Sequence, residues 1–263
     1  MTITIALAGK GGTGKTTVAA LLVDILVKRG AHPVLAIDAD PSSNLNLALG
    51  VPLTRTVGDL REDLLADVQR TQMGLGVSQR EMLDVQIRQA VEEADDFDLL
   101  AMGRPEGPGC YCPVNHSLRQ IVDVMSESYA YVVMDNEAGM EHLSRRTTRD
   151  VDWMLLVSDP TVRGVTAIGH MLKMADDLGV NVRNKGIVIN RLPPSGYGTA
   201  TIPPAIEAML GEYAAPLVGV IPADLLVNQY DAEGKPLAQL PPDSPARQAV
   251  AALLDHLMFG EHP

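Results

Sequence analysis

A chain of 263 residues, 46% hydrophobic and 21% charged, is long enough to bury a substantial core and too apolar to be disordered. Its formal net charge of -12, with lysine and arginine scattered instead of gathered into a stripe, argues against a nucleic-acid surface, which needs cations to displace counterions at phosphates. There is no apolar run of 18 residues, and the N-terminal residues read as a structural strand instead of a cleavable signal, so the expectation is a soluble cytoplasmic protein that does not enter a membrane.

The first predicted strand, residues 2–8, runs into Gly9-Lys10-Gly11-Gly12-Thr13-Gly14-Lys15-Thr16, and residues 17–29 then carry apolar side chains at helical spacing. The pattern G-x-x-x-x-G-K-[ST] between a strand and a helix is a phosphate-binding loop. Its backbone N–H groups wrap the phosphates, its lysine reaches the outer ones, its hydroxyl holds magnesium, and the helix N-terminus favours anions. ATP with Mg²⁺ is therefore the expected ligand, held by Gly11, Gly12, Thr13, Gly14, Lys15, Thr16 and Thr17, with Thr16 on the metal. The second lysine, Lys10, is either a solvated loop residue or a more selective sign. The form K-G-G-x-G-K-T resembles the deviant Walker A loop of the MinD/ParA and nitrogenase iron-protein class of ATPases. That resemblance implies a catalytic Lys10 that crosses a dimer interface to the partner's nucleotide, and hence a nucleotide-controlled homodimer.

Further strands are predicted at 33–38, 98–102, 130–135, 153–158, 186–190 and 217–221, with helices at 117–127, 165–178, 204–212 and 246–258. Such alternation gives an α/β fold, a mostly parallel sheet flanked by helices on both faces. Without a repeat, linker or low-complexity tract, the reading is a single P-loop ATPase domain over residues 1–263.

The second strand ends in Asp38-Ala39-Asp40-Pro41, and carboxylates at the carboxyl end of a parallel strand face the crevice where ligands bind. Either aspartate also suits a cap or turn before proline. By the resemblance this is the first switch, with Asp40 orienting the attacking water and Asp38 supporting Lys15 and the magnesium shell. The strand Tyr131-Val132-Val133-Met134-Asp135 ends in an aspartate suited to the Walker B role. Asn136-Glu137-Ala138-Gly139-Met140-Glu141 follows and resembles the second switch, where a glycine lets the backbone move with the γ-phosphate. Glu137 and Glu141 read equally as solvated acids. Asn190 closes a later strand; its amide both donates and accepts, which suits an adenine edge or a simple strand-end cap. In the related ATPases a base-contacting segment follows the next strand, and here that segment is Ile221-Pro222-Ala223-Asp224, with Pro222 a turn residue on the plain reading.

The only two cysteines form Cys110-Tyr111-Cys112. So small a ring strains a disulfide, and in a cytosolic chain the spacing reads as metal or redox chemistry, against the plain reading of two packed or idle thiols. Two such loops at a two-fold axis would offer four thiolates to one Ni²⁺ or Zn²⁺. His116 is a further ligand or a surface residue at a helix start. The loop, both aspartate segments and the C-x-C pair together resemble the carbon monoxide dehydrogenase maturation ATPases of CooC type. This implies nickel insertion, with carbon monoxide dehydrogenase as client. Two alternatives stand beside it. A reductase like the nitrogenase iron protein would draw its four cysteines from two separate loops per subunit. A ParA/MinD-type partition or positioning ATPase would call for a basic surface or a basic C-terminal anchor, and residues 253–263 contain neither lysine nor arginine.

Overall fold

Short runs of aliphatic residues, several of them β-branched, make strands that are apolar on both sides, the composition expected where helices cover both faces of a sheet. The computed structural model describes residues 2–60, 62–63, 87–103, 125–137, 151–177, 182–194 and 201–260. In chain order these form β1 (Ile3–Ala8), α1 (Lys15–Lys28), β2 (Val34–Ala39), α2 (Leu45–Leu49), β3 (Val91–Glu93), β4 (Asp98–Ala101), β5 (Tyr131–Asn136), β6 (Val151–Ser158), α3 (Val162–Asp177) and β7 (Val182–Leu192). They continue with α4 (Pro204–Leu210), β8 (Leu217–Pro222), α5 (Leu225–Glu233), a 3₁₀ turn (Leu237–Gln239) and α6 (Pro245–Phe259).

The strands join one sheet in the order β3-β4-β2-β5-β1-β6-β7-β8, and every pair is parallel except β3 with β4. Side chains alternate across it. Ile5, Leu7, Val133, Leu155 and Val188 pack against α1, α2 and α6, while Ala6, Met134, Leu156 and Ile189 pack against α3 and α4. Two apolar layers therefore hold the sheet, and α1 lies under its own loop with Val18 to Val23 almost wholly buried. A buried ion pair, Arg247 to Asp24 at 2.5 Å, ties α6 to α1.

The mostly parallel sheet with helices on both faces is thus present, and each strand expected from the apolar runs is found. Four elements were not anticipated: the antiparallel edge strand β3, the five-residue α2, α5, which buries none of its residues, and the 3₁₀ turn. Strand β7 begins at Val182, four residues before the expected start at 186. The helix expected at 117–127 lies mainly outside the described residues, which resume at 125. Parallel packing brings the carboxyl ends of β1, β2, β5, β6, β7 and β8 to one edge, and all the site residues described below stand there.

Candidate nucleotide site

The loop after β1 is seated by contacts that leave no room for side chains. A Cβ at Gly9 would lie 2.3 Å from the Val157 carbonyl oxygen of β6, so backbone meets backbone. Gly14 has φ of 88°, a left-handed conformation that favours glycine, and a Cβ there would stand 2.4 Å from Asn190 Nδ2. Helix α1 starts at Lys15 with no side-chain cap and no acidic residue in its first turn, while its next turns are anchored in the core. Its first N–H groups are left for an anion.

Lys15 folds back over this loop, donating to the carbonyls of Gly9 at 3.1 Å and Lys10 at 3.4 Å. An ammonium has three donors, so one remains. Burial lowers its pKa, and the carboxylates of Asp135, Asp40 and Glu137 oppose that effect. Thr13 is buried and its hydroxyl donates to the Lys10 carbonyl at 2.9 Å, whereas Lys10, Gly11 and Gly12 are exposed.

Thr16 donates its hydroxyl proton to Asp135 Oδ2 at 2.6 Å, which turns the threonine lone pairs away from the carboxylate. Asp135 Oδ1 is buried with no hydrogen-bond partner. Desolvation pushes the Asp135 pKa up to about 7, against the Thr16 hydrogen bond and the Lys15 charge. A buried carboxyl group with one orphan oxygen behind a threonine hydroxyl is a donor set that fits a hydrated divalent cation.

Asp38 is the cross-strand neighbour of Asp135, but its two oxygens accept from the N–H groups of Asp40 at 3.0 Å and Leu45 at 2.9 Å. Burial raises its pKa and those N–H groups oppose the rise. It fastens the loop that carries Asp40, and its charge is among those that raise the pKa of Asp135 beside it. Asp40 is half-buried and accepts from Ser42 N at 2.8 Å, and its charge reaches Lys15.

Beside the loop a cavity of about 290 Å³ opens between α1, α5, α6 and the ends of β7 and β8, lined by Thr17, Asn190, Arg191, Pro222, Asp224 and Asn228 among others. Asn190 donates to the Thr13 carbonyl at 2.8 Å and accepts from Arg191 N at 2.9 Å, which leaves its amide one N–H and one lone pair. Arg191, at the strand end, and Asp224, in the segment expected to touch the base, make contacts at this edge that sequence reasoning did not assign. Arg191 donates from Nη1 to the Gly12 carbonyl at 2.9 Å. Asp224 accepts from Leu226 N at 2.9 Å, capping α5, and from Ser244 Oγ at 2.6 Å and Ala246 N at 3.3 Å at the start of α6. The cap signature of Asp224, an aspartate after a strand and before a helix, was readable; the Arg191 contact was not. A larger and more open cavity of about 470 Å³ lies at the far end of β8, around Leu210, Tyr213 and Pro216, away from the loop. Only the smaller one adjoins an uncapped helix start.

Cys110, Cys112, His116, Gly139 and Glu141 lie outside the described residues. Among the described residues no group of three or more His, Cys, Asp or Glu side chains could hold a metal, and no helix is long and apolar enough to cross a membrane.

Comparison with known proteins places this geometry. The family model of the CobQ/CobB/MinD/ParA nucleotide binding domain matches residues 4–237. An uncharacterized ATP-binding protein of Methanocaldococcus jannaschii is 38% identical over 258 residues, covering 97% of this chain and 98% of that protein. The carbon monoxide dehydrogenase accessory protein CooC of Rhodospirillum rubrum is 32% identical over 186 residues, covering 67% of this chain and 70% of that protein. In fold the chain matches the septum site-determining protein MinD of Pyrococcus horikoshii, solved with Mg-ADP, at a TM-score of 0.63 and 23% identity, over 98% of this chain and 97% of that one.

Proposed function

The chain belongs to the CobQ/CobB/MinD/ParA nucleotide-binding family of P-loop proteins, and from that premise we propose that it hydrolyses ATP as a homodimer to drive nickel insertion into the active-site cluster of carbon monoxide dehydrogenase. The observation that carries the hydrolytic part is the junction of Thr16 and Asp135 at the uncapped start of α1. The client rests on the similarity to the Rhodospirillum rubrum accessory protein and on the Cys110-Tyr111-Cys112 spacing.

In this reading the backbone of Gly11 to Gly14 and the first turn of α1 hold the phosphates. The free donor of Lys15 meets their outer oxygens, and the lowered pKa of its desolvated ammonium is restored by the phosphate charge. Thr16, backed by Asp135, would hold Mg²⁺, which when bound would neutralise the charge that develops on the phosphate oxygens. Asp40, carried on the loop that Asp38 fastens, positions water for in-line attack at the γ-phosphorus, so that the bond to the bridging oxygen breaks and ADP and phosphate leave. Lys10 is exposed at the loop's start, where it reaches the nucleotide of a second copy. Nickel is cargo: two thiolates from each copy give one borderline-soft cation four ligands, and hydrolysis alters their spacing through the segments that follow Asp38 and Asp135.

Native mass spectrometry with Ni²⁺ or Zn²⁺, with and without nucleotide, tests this beside the Cys110→Ser/Cys112→Ser double variant. One metal per dimer, lost in the variant, is expected. Metal-free protein that dimerises with nucleotide alone would point to a partition or positioning ATPase. A mass increment of four irons and four sulfides would point to a reductase.

A further inference from the structure

We infer that the 470 Å³ cavity at the amino end of β8 is a docking site for a segment of another protein that carries a bulky apolar side chain between lysines or arginines. It stands apart from the nucleotide site: Leu217 at this cavity and Pro222 at the nucleotide edge are the two ends of β8, about 17 Å apart along an extended strand.

The cavity has a fixed wall. Ile202, Leu210, Tyr213, Ala215, Pro216 and Leu217 line it, and Glu207 is its one charged side chain. The Tyr213 ring lies on α3 where Gly169 leaves room, since a Cβ there would stand 2.9 Å from the ring. Its hydroxyl donates to the Val165 carbonyl, one turn earlier, at 3.0 Å. The turn from α4 towards β8 is closed by the N–H groups of Gly211, Glu212 and Tyr213, which donate to the carbonyls of Glu207, Met209 and Leu210 at 3.1, 3.1 and 3.2 Å. A preformed wall spares a ligand the cost of ordering it, and the volume falls in the range of roughly 300–1,000 Å³ common to binding sites. Leu217 at the mouth is 40% exposed, and among the described residues no strand pairs with the outer side of β8. An exposed leucine continuous with an apolar cavity is contact surface.

Charge selects the occupant. Residues 192–234 contain five acidic residues and neither lysine nor arginine. Glu207 and Glu212 are both exposed here. Burial raises the Tyr213 pKa and the Glu212 charge adds to the rise, which places that carboxylate at the rim. At the start of neighbouring β7, whose Ile187 is in register with Leu217, the cations are already engaged: Lys185 by Asp176 and Arg183 by Asp152. An anionic lipid surface or an acidic peptide would meet repulsion at this rim, whereas a cationic segment is attracted to it. The apolar anchor fills the cavity while the flanking cations stay in water beside Glu207 and Glu212.

The test titrates the acetylated and amidated peptide Lys-Lys-Leu-Phe-Leu-Lys-Lys into the isotope-labelled chain and follows backbone amides by NMR. One control peptide has glutamate for every lysine, and another has serine for Leu-Phe-Leu. Saturable shifts are expected around Leu210, Tyr213 and Leu217, with binding about tenfold weaker for either control and weakened by salt. Gly211 lines the cavity at φ of -66°, and a Cβ there would meet nothing closer than 3.5 Å. Gly211→Trp should therefore keep the wild-type melting temperature, fill the cavity and bind the peptide at least about tenfold more weakly. Glu207→Lys/Glu212→Lys changes only exposed positions and should cost about three- to tenfold. Shifts confined to other surfaces would overturn the proposal, as would equal binding of the glutamate peptide, full binding by Gly211→Trp, or no saturable shift at about millimolar peptide. A concentration-dependent doubling of mass that Gly211→Trp abolishes would assign the cavity to a second copy of this chain and overturn it as well.

Discussion

The two halves of the site are built in different ways. The phosphate half is almost one unbroken run, Gly9 to Thr16, whose recognition elements are backbone N–H groups and a helix start. The half proposed for the base gathers Thr17, Asn190, Pro222, Asp224 and Asn228 from α1, the ends of β7 and β8, and α5. Phosphates are satisfied by backbone geometry, which a short segment can specify by itself. A base needs side chains at fixed distances, and those depend on the order of strands in the sheet. The halves can therefore be broken separately.

Lys15→Gln should have the largest effect, since it removes the only buried ammonium among the described residues at the phosphate half. Hydrolysis should fall at least 10²–10³-fold, the usual loss for one preorganised donor to a developing charge. The cavity beside Asn190 is untouched, so adenosine binding should persist. An unchanged turnover rate would remove Lys15 from the assignment.

Gly14→Ala attacks the junction of the halves. Alanine meets both a left-handed φ and Asn190 Nδ2 at 2.4 Å, so the Asn190 clamp on Thr13 must open. Chemical denaturation should show a loss of about 1–3 kcal/mol, and nucleotide affinity should drop with it. Stability at the wild-type level would mean that the clamp is not part of the resting loop.

The same division explains what could be read in the chain. The loop, Asp40 and Asp135 were legible because strand, turn and helix signals enclose them. The clamp of Asn190 on Thr13 spans 177 positions, and no spacing rule reports it. Helix α5 was missed because it buries nothing and so has no apolar stripe, and β3 because three half-exposed residues make no period. Asp38 was assigned by its position at a strand end. The structure shows its oxygens turned to its own loop, a choice made by local N–H groups that the sequence order does not display.

Within the phosphate half, Asp135 predicts a pH effect. Its pKa is raised from 3.8 to about 7 in the folded chain, so the neutral acid favours folding. That stabilisation is complete below the unfolded value near 4 and is lost as pH rises through about 7. Without ligand, the melting temperature of wild type should decline relative to Asp135→Asn over that window. Mg²⁺-nucleotide binding should release a proton and strengthen by up to roughly tenfold per pH unit below about 7, then level off. A flat profile in wild type, equal to that of Asp135→Asn, would place the ionisation elsewhere.

Asp224→Ala should give the smallest effect and act on the base half alone. One carboxylate caps α5 through Leu226 N and steadies the start of α6 through Ser244 and Ala246, so a single substitution loosens two walls of the cavity. Ser244 keeps its own bond to Arg247 N, and the buried Arg247–Asp24 pair still holds α6 on α1. The loss should therefore stay near that of one helix cap, about 1–2 kcal/mol, or about 3–6 °C in melting temperature. KM for ATP should rise several-fold with kcat little changed, because the Asp224 side chain bonds to Leu226, Ser244 and Ala246 and to no phosphate-loop group among the described residues. A fall in kcat with KM unchanged would show that the two halves are mechanically coupled, and the separation drawn between them would fail.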